Sequence, residues 1–236
     1  MSFCIRKYFK ISTFIFSMIV SSSFLCPVFS QESENVQNSV SFATGAVYNL
    51  PLPLSIRQFG ESKLSLTAKY TTKPFTAPFY YQIRYSRLKQ NKGFEIEFIH
   101  HKLYLETKHE DIQEFTVTNG FNLLFVNMVF KKDILPNTSF LWRFGGGPVI
   151  THPESKIRNK KFSEDGGLSW FDDDGYFVSG LAFQAACELD YMVMSHLSFF
   201  AETKLSAAFA SVPVASGFAD MYNIALHGLL GVKFNF

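Results

Sequence analysis

The chain has 236 residues, of which 47% are hydrophobic and 17% aromatic, and a formal net charge of +2. So apolar a chain is not a disordered one, and so balanced a charge gives no basic stripe for nucleic acid. Two of its three cysteines, Cys4 and Cys26, lie within residues 1–30, so the lone Cys187 leaves no disulfide framework and no cysteine-held metal site in the remainder.

Residues 1–30 read as a secretory signal peptide. Arg6, Lys7 and Lys10 form a basic start, Ile11–Leu25 an apolar run, and Val28-Phe29-Ser30 a small-residue cleavage site. The run is too short and too serine-rich for a spanning helix, which needs roughly 20 apolar residues. Cleavage would leave 236 − 30 = 206 residues, the size of one domain. It would also remove three cations and take the charge from +2 to −1. Residues 31–61 read as a separate segment ahead of the main domain. Gln31–Asn38 is polar, and Pro51 and Pro53 make Ser39–Gln58 an irregular or edge stretch.

Eight strands are predicted from there on: Ser62–Tyr70, Pro78–Leu88, Gly93–Glu106, Ile112–Lys131, Thr138–Thr151, Gly175–Met192, Leu197–Ala210 and Met221–Phe236. Most reach the roughly 9–11 residues that a tilted strand needs to cross a bilayer. Their connections alternate. Lys89–Lys92, Lys132–Asn137 and Val193–His196 are short, whereas Thr71–Ala77, Thr107–Asp111, His152–Asp174 and Ser211–Asp220 are mostly longer. Short turns at one end and long loops at the other are the pattern of outer-membrane barrels, with short turns and both termini on the periplasmic side.

Side chains alternate within the strands. Phe79, Tyr81, Ile83 and Tyr85 oppose Gln82, Arg84 and Ser86; Phe199, Ala201 and Leu205 oppose Ser198, Glu202, Lys204 and Ser206. One face is continuous grease and the other carries charge, which suits a wall with lipid outside and a polar lumen. A slip in Gly93–Glu106 predicts a bulge near Ile99–His100. The fold class is therefore all-β: an eight-stranded antiparallel transmembrane β-barrel over residues 62–236, or ten strands if Ser39–Gln58 pairs twice. Lipid forces closure, because an open edge would strand unpaired backbone groups in hydrocarbon.

The inward face gathers Lys69, Glu95, Arg84, Glu97, Arg143, Glu188, Glu202, Lys204 and His227. Arg84, Glu97, Arg143, Glu188 and Lys204 form a lumen charge network, in which opposite charges neutralise one another. The same face allows a second reading. Ser206 and His227 stand at similar depth on neighbouring strands, with Glu202 on the Ser206 face, and a serine, a histidine and a carboxylate are the set that acyl transfer needs. Neighbouring residues of a strand point to opposite faces, so His100 and His101 divide between lumen and exterior rather than sharing a metal. Lys156, Arg158, Lys160 and Lys161 make the longest loop basic, suited to lipopolysaccharide phosphates. Asp172-Asp173-Asp174 reads as a turn, and Gly145-Gly146-Gly147, followed by Pro148 and no helix, is no nucleotide loop.

The chain closes on Gly231-Val232-Lys233-Phe234-Asn235-Phe236. Gly231, Phe234 and Phe236 resemble the C-terminal assembly signal of bacterial outer-membrane β-barrels, while Leu229 stands where a polar residue is usual. The whole pattern looks like the small outer-membrane barrels, among them the membrane domain of outer-membrane protein A and the lipid A 3-O-deacylases. The resemblance implies an outer-membrane location, contact with outer-membrane lipid and lipopolysaccharide, and insertion by the barrel assembly machinery. The deacylases carry a His-x-Ser pair with a Glu farther on. The literal match, His196-Leu197-Ser198, falls at a predicted turn, and Met221–Phe236 contains no Asp or Glu. Two functions follow: a structural or surface-binding barrel, or a lipid A-modifying hydrolase or acyltransferase using Ser206, His227 and Glu202. No cofactor, metal or nucleic acid is implied, and the oligomeric state is left open.

Overall fold

The structure, a computed structural model, describes residues 36–162 and 175–236. The expected signal peptide and the Asp172-Asp173-Asp174 turn lie outside the described residues. Thirteen strands appear among the described residues, and no helix. They are β1 (Val36–Asn49), β2 (Leu52–Gln58), β3 (Leu64–Ala68), β4 (Tyr70–Thr71), β5 (Tyr81–Lys89), β6 (Lys92–Leu105), β7 (Ile112–Leu135), β8 (Thr138–Thr151), β9 (Glu154–Ile157), β10 (Lys160–Phe162), β11 (Phe177–Met194), β12 (Leu197–Val214) and β13 (Gly217–Asn235).

Eight of them close a ring. The order runs β7-β8-β11-β12-β13-β1-β5-β6, and β6 pairs again with β7. Every neighbouring pair is antiparallel, so the backbone groups of the wall are satisfied within it. Both termini of the ring lie at one end, where Asn38 and Phe236 exchange backbone hydrogen bonds of 3.2 and 2.9 Å. That end, the turn end, also holds the short β5–β6, β7–β8 and β11–β12 connections; the opposite end is the loop end.

Ser39–Gln58 departs from expectation. Instead of an irregular stretch, it contains β1, which pairs with β13 from Ser39↔Asn235 to Asn49↔Ala225 and with β5 from Val36↔Lys89 to Ala43↔Gln82. It also contains β2, which adds to β13 at the loop end. The sheet thus begins well before residue 62. Ser62–Tyr70 is not a wall strand: its β3 portion pairs only with β2, as a rim hairpin. The total of eight survives because β1 takes its place. Pro53 fits since β2 meets β13 only from Leu54 onward, so its missing N–H costs no wall bond.

Ser211–Asp220 is no loop either. β12 and β13 run on through it as a ladder to Val214↔Gly217, turning at Ala215-Ser216 with Ser216 at φ 60°. The bulge in β6 sits between His101 and Leu103 rather than at Ile99–His100. Lys69 is not inward but exposed, paired with Glu106 at 3.2 Å. In the longest connection, β9 and β10 form a small hairpin that pairs with β7.

The expected inversion of polarity is present. Ile83, Phe94, Val126, Phe183, Leu205 and Leu230 are exposed on the outer face, while Arg84, Glu97, Arg143, Glu188 and Lys204 have no exposed surface. Outside, Phe130–Trp142 and Phe140–Trp142 gather aromatic rings near the turn end, and Phe209–Tyr222 and Tyr81–His100 do so toward the loop end. Just beyond Tyr222, Asp220 forms an ion pair of 2.5 Å with Arg57 of β2. This marks where the outer surface returns to water.

Candidate functional site in the barrel lumen

One strand displays the layering of the lumen. From the turn end, the inward residues of β12 are Ser198, Phe200, Glu202, Lys204, Ser206, Ala208, Ala210, Val212 and Val214, all buried. Polar groups come first, then charge, then a hydroxyl, then hydrocarbon.

The charge layer is a clamp. Glu188 and Glu202 are direct partners across β11 and β12, an arrangement that destabilises a sheet unless compensated. Two guanidiniums compensate it. Arg84 Nη1 donates to Glu188 at 2.7 Å and its Nη2 to Glu202. Arg143 donates to Glu188 at 2.8 Å, to Glu202 at 2.5 Å and to Glu95 at 2.7 Å. Lys204 bonds Glu97, and Gln82 at 2.8 Å. Asn127 and Gln184 each donate to Glu97 at 2.9 Å. Lys233 joins from below through Glu188, and through Asp190 at 2.6 Å. All five residues expected in the network are in it, together with Glu202, Glu95, Asp190 and Lys233. Lys233 and Asp190 were readable from the polar face of their strands, but the reach of Lys233 to Glu188 was not.

Above this layer Ser206 Oγ and His227 Nε2 stand 2.8 Å apart, so the sequence pairing of these two is realised. Glu202 does not complete the set, because its carboxylate is held by Arg84 and Arg143. His227 Nδ1 instead bonds the Tyr80 hydroxyl at 2.8 Å. A neutral imidazole satisfies both neighbours, donating to one and accepting from the other. Tyr80 went unnoticed in the sequence, although it alternates in phase with the inward Gln82 and Arg84. His101 lies alongside, 5.6 Å from the His227 ring by centroids, and its Nε2 meets Asn49 Oδ1 at 3.1 Å. His100 takes the opposite face and stacks on Tyr81 at 5.3 Å. Ser206 is 1% exposed and His227 and Tyr80 are 0% exposed, so the pair is buried among the described residues.

A buried apolar cluster closes the loop end, with Leu54, Ile56, Phe121, Val149, Val212 and Met221 among its members. The turn end is open. A cavity of about 350 Å³ lies there, lined by Asp133, Asn137, Ser139, Asp190, Ser198 and Asn235. His196 belongs to the turn below, its Nδ1 at 3.1 Å from Asn235 O, and Ser198 accepts from Asn235 at 3.3 Å. The two do not form a His–Ser pair.

The basic loop residues divide. Arg158 donates to Ser62 O at 3.1 Å and approaches Asp111 at 3.5 Å; Lys160 bonds Glu61 at 3.0 Å. These two fasten the β9–β10 hairpin to the β2–β3 hairpin. Lys156 and Lys161 are exposed. The hydrogen bond from Lys160, with its charge, holds the Glu61 carboxyl below its ordinary pKa. Gly231, Phe234 and Phe236 close β13 and its final residue, with the Phe234 and Phe236 rings 6.2 Å apart on the exterior. Among the described residues no group of three or more metal-ligating side chains converges.

A closed antiparallel ring, greasy outside and charged within, defines a small β-barrel of the outer-membrane type. No family model matches the chain, and no curated protein matches it. Solved structures do resemble it. Neisserial surface protein A is 8% identical, with 85% of this chain and 97% of that one covered and a TM-score of 0.44. OprG from Pseudomonas aeruginosa is 12% identical, with 85% and 95% covered and a TM-score of 0.46. AlkL in lipid bilayers is 16% identical, with 90% and 96% covered and a TM-score of 0.45. Likeness at this level is silent on activity, and the fold stands on the strand pairing itself.

Proposed function

We propose that this protein resides in the bacterial outer membrane, with its termini toward the periplasm, as a closed, non-conducting barrel with a binding role at its loop end. One observation carries this reading. Arg84, Arg143, Lys204, Glu97 and Glu188, none with any exposed surface, bond across the lumen from five different strands. Eight strands leave an interior that side chains fill, and here they fill it with mutually bonded charge beneath an apolar cap. What remains for function is the rim of β2–β3 and β9–β10. Lys156 and Lys161, outside the ion pairs that fasten the rim, are available to lipopolysaccharide phosphates. Purified protein in planar bilayers is expected to show no channel conductance, and its liposomes no solute uptake. Steady conductance of the wild-type protein would refute the sealed lumen.

A second reading is favoured by the 2.8 Å contact of Ser206 with His227: an acyl hydrolase or acyltransferase acting on lipid A, its serine activated by the histidine. Such activity requires Tyr80 and the segment before it to withdraw. Mass spectrometry of lipid A from cells overexpressing the protein tests it. A changed acyl pattern that Ser206→Ala abolishes would establish the enzyme, and an unchanged pattern would remove it.

A further inference from the structure

The ladders of β1 are unequal. It pairs with β13 as far as Asn49↔Ala225, but with β5 only as far as Ala43↔Gln82. β5 begins at Tyr81 and its ladder with β6 ends at Tyr81↔His100, while β6 runs on to Leu105. Beyond Tyr81, the place of a strand between β1 and β6 is taken by residues 72–80, which form no strand. The stretch of β1 on this seam, Thr44 to Asn49, is about 20 Å long at the rise of a strand. The seam faces lipid. Register sets Thr44 to Asn49 against Leu230 to Ala225 of β13, on the turn side of Tyr222 and of the Arg57–Asp220 pair. Phe79 and Phe75, both in residues 72–80, are 59% and 70% exposed.

Side chains hold this strap in place. Asn49 Nδ2 donates to Thr72 Oγ1 at 2.9 Å and Thr44 Oγ1 to Tyr80 O at 2.8 Å, which ties both ends to β1. Lys102 Nζ donates to Lys73 O at 3.0 Å and to Thr76 O at 2.5 Å, which ties the middle to β6. The strap's own backbone bonds, Thr76 N to Lys73 O and Tyr80 N to Pro74 O, are internal; among the described residues none joins it to β1 or β6. A segment so attached opens at lower cost than a ladder does. Behind it stands the histidine. His227 pairs with Val47, midway along the seam. Tyr80, the last residue of the strap, bonds His227 Nδ1 at 2.8 Å, and the other ring nitrogen meets Ser206.

We propose that residues 72–80 are a side door latched by Lys102. Its withdrawal takes Tyr80 from His227 and opens a slot one strand wide, about 4.8 Å, which admits a single acyl chain of a neighbouring lipid to Ser206. The chain enters from the membrane and passes neither the apolar cap nor the charge layer. Because the seam lies within the apolar belt, it selects a lipid tail over a water-soluble ester. The inference rests on the membrane-barrel reading and gives the acyl-transfer reading its route. Its test measures access rather than turnover, so the door and the enzyme can fail separately.

The full chain carrying Cys4→Ser, Cys26→Ser, Cys187→Ser and Ser206→Cys is folded into phosphatidylcholine vesicles. Its one thiol is challenged with dodecylmaleimide, which partitions into lipid, or with a sulfonated maleimide, which does not, and intact mass gives labelling against time. Dodecylmaleimide is expected to label the thiol and the sulfonated reagent to leave it. Adding Lys102→Met is expected to speed the lipid-borne reaction about tenfold, the weight of a hydrogen bond from a charged donor. If that variant does not insert, Thr44→Val carries the comparison, with about fivefold expected; if Ser206→Cys does not, Val47→Cys supplies the thiol. Equal labelling by the two reagents overturns the proposal and puts the route through water. A thiol that neither reagent reaches overturns it too, as does a rate that loosening the strap leaves unchanged. Labelling from lipid with an unaltered lipid A acyl pattern removes the enzyme and leaves the door standing. Failure of the wild type to insert at all, seen as unshifted gel migration on heating, sinks the barrel reading itself and the proposal with it.

Discussion

Arg143 Nε donates to Glu95 Oε2 at 2.7 Å, and the two residues belong to β8 and β6, which are separated in the wall by β7. The bond is a strut across the lumen. Strand number and ladder register set the size of the ring, and side chains that bond across the interior brace it. Removing one member of such a buried set leaves the others charged and unpaired, which costs about 3–5 kcal/mol. Arg143→Met is therefore expected to lose that much in urea unfolding from detergent micelles. The loss should be far smaller when Glu95 and Glu188 are neutralised in the same chain.

The His227 layer predicts a smaller effect. Tyr80→Phe removes the hydroxyl that meets His227 Nδ1 at 2.8 Å and leaves a buried ring nitrogen without its partner. The expected loss is about 1–3 kcal/mol, read as a lowered unfolding midpoint. Ser206→Ala should cost a similar amount from the other side of the ring. A double variant whose losses add fully would show that the two contacts are independent; coupling through His227 predicts that they do not.

The inverted wall predicts a third outcome. Leu230 is 71% exposed on the outer face of β13. Leu230→Arg is expected to destabilise the barrel in lipid by about 2–4 kcal/mol, as arginine does near the bilayer midplane. Arginine on the outer face of a soluble barrel would be tolerated, so a neutral result in lipid vesicles would contradict the lipid-facing assignment.

At the rim, Glu61 links acidity to local order. The hydrogen bond and charge of Lys160 hold its carboxyl below the unfolded value, which is about 4.3. A lowered folded value means that the contact stabilises fully above the unfolded pKa and is lost as pH falls through the folded one. Amide exchange at Phe59, which bonds Ser216 O at 2.8 Å, and at Glu61, which bonds Gln58 O at 3.2 Å, reports it. Corrected for intrinsic rates, exchange at both should rise below about pH 4. Glu61→Gln should remove this dependence, and high salt should blunt it.

Much of this was legible in the alternation of single strands. β13 and β12 declare themselves, because Leu226, Leu230 and Phe234 oppose His227 and Lys233, and Phe199 and Leu205 oppose Glu202 and Lys204. The pairing of Ser206 with His227 was also readable, since the two lie about equally far from the turn-end termini of neighbouring strands. Other features depend on partners distant in sequence. Ser39, Ser41 and Ala43 alternate with Val40 and Phe42, yet the small inward residues and the nearby prolines masked β1 until its contacts with β5 and β13 were seen. Within Ser211–Asp220, expected as a loop, the β12 ladder contains Pro213. It is tolerated because β11 stops pairing with β12 at Gly180↔Ala210, leaving the strand bonded on one side only. Glu202 was assigned to the histidine because depth could be counted along a strand, whereas reach across the lumen could not.

The wall is sealed where β1 meets β13, so Ser39 lies beside Asn235. The first stave is thus locked by the last. No partial cylinder shorter than the whole ring is free of raw edges, and a chain halted before Gly217 would hold two unzippered margins rather than a smaller vessel. Assembly must wait for the final stave to arrive, and such late, long-range closure is slow.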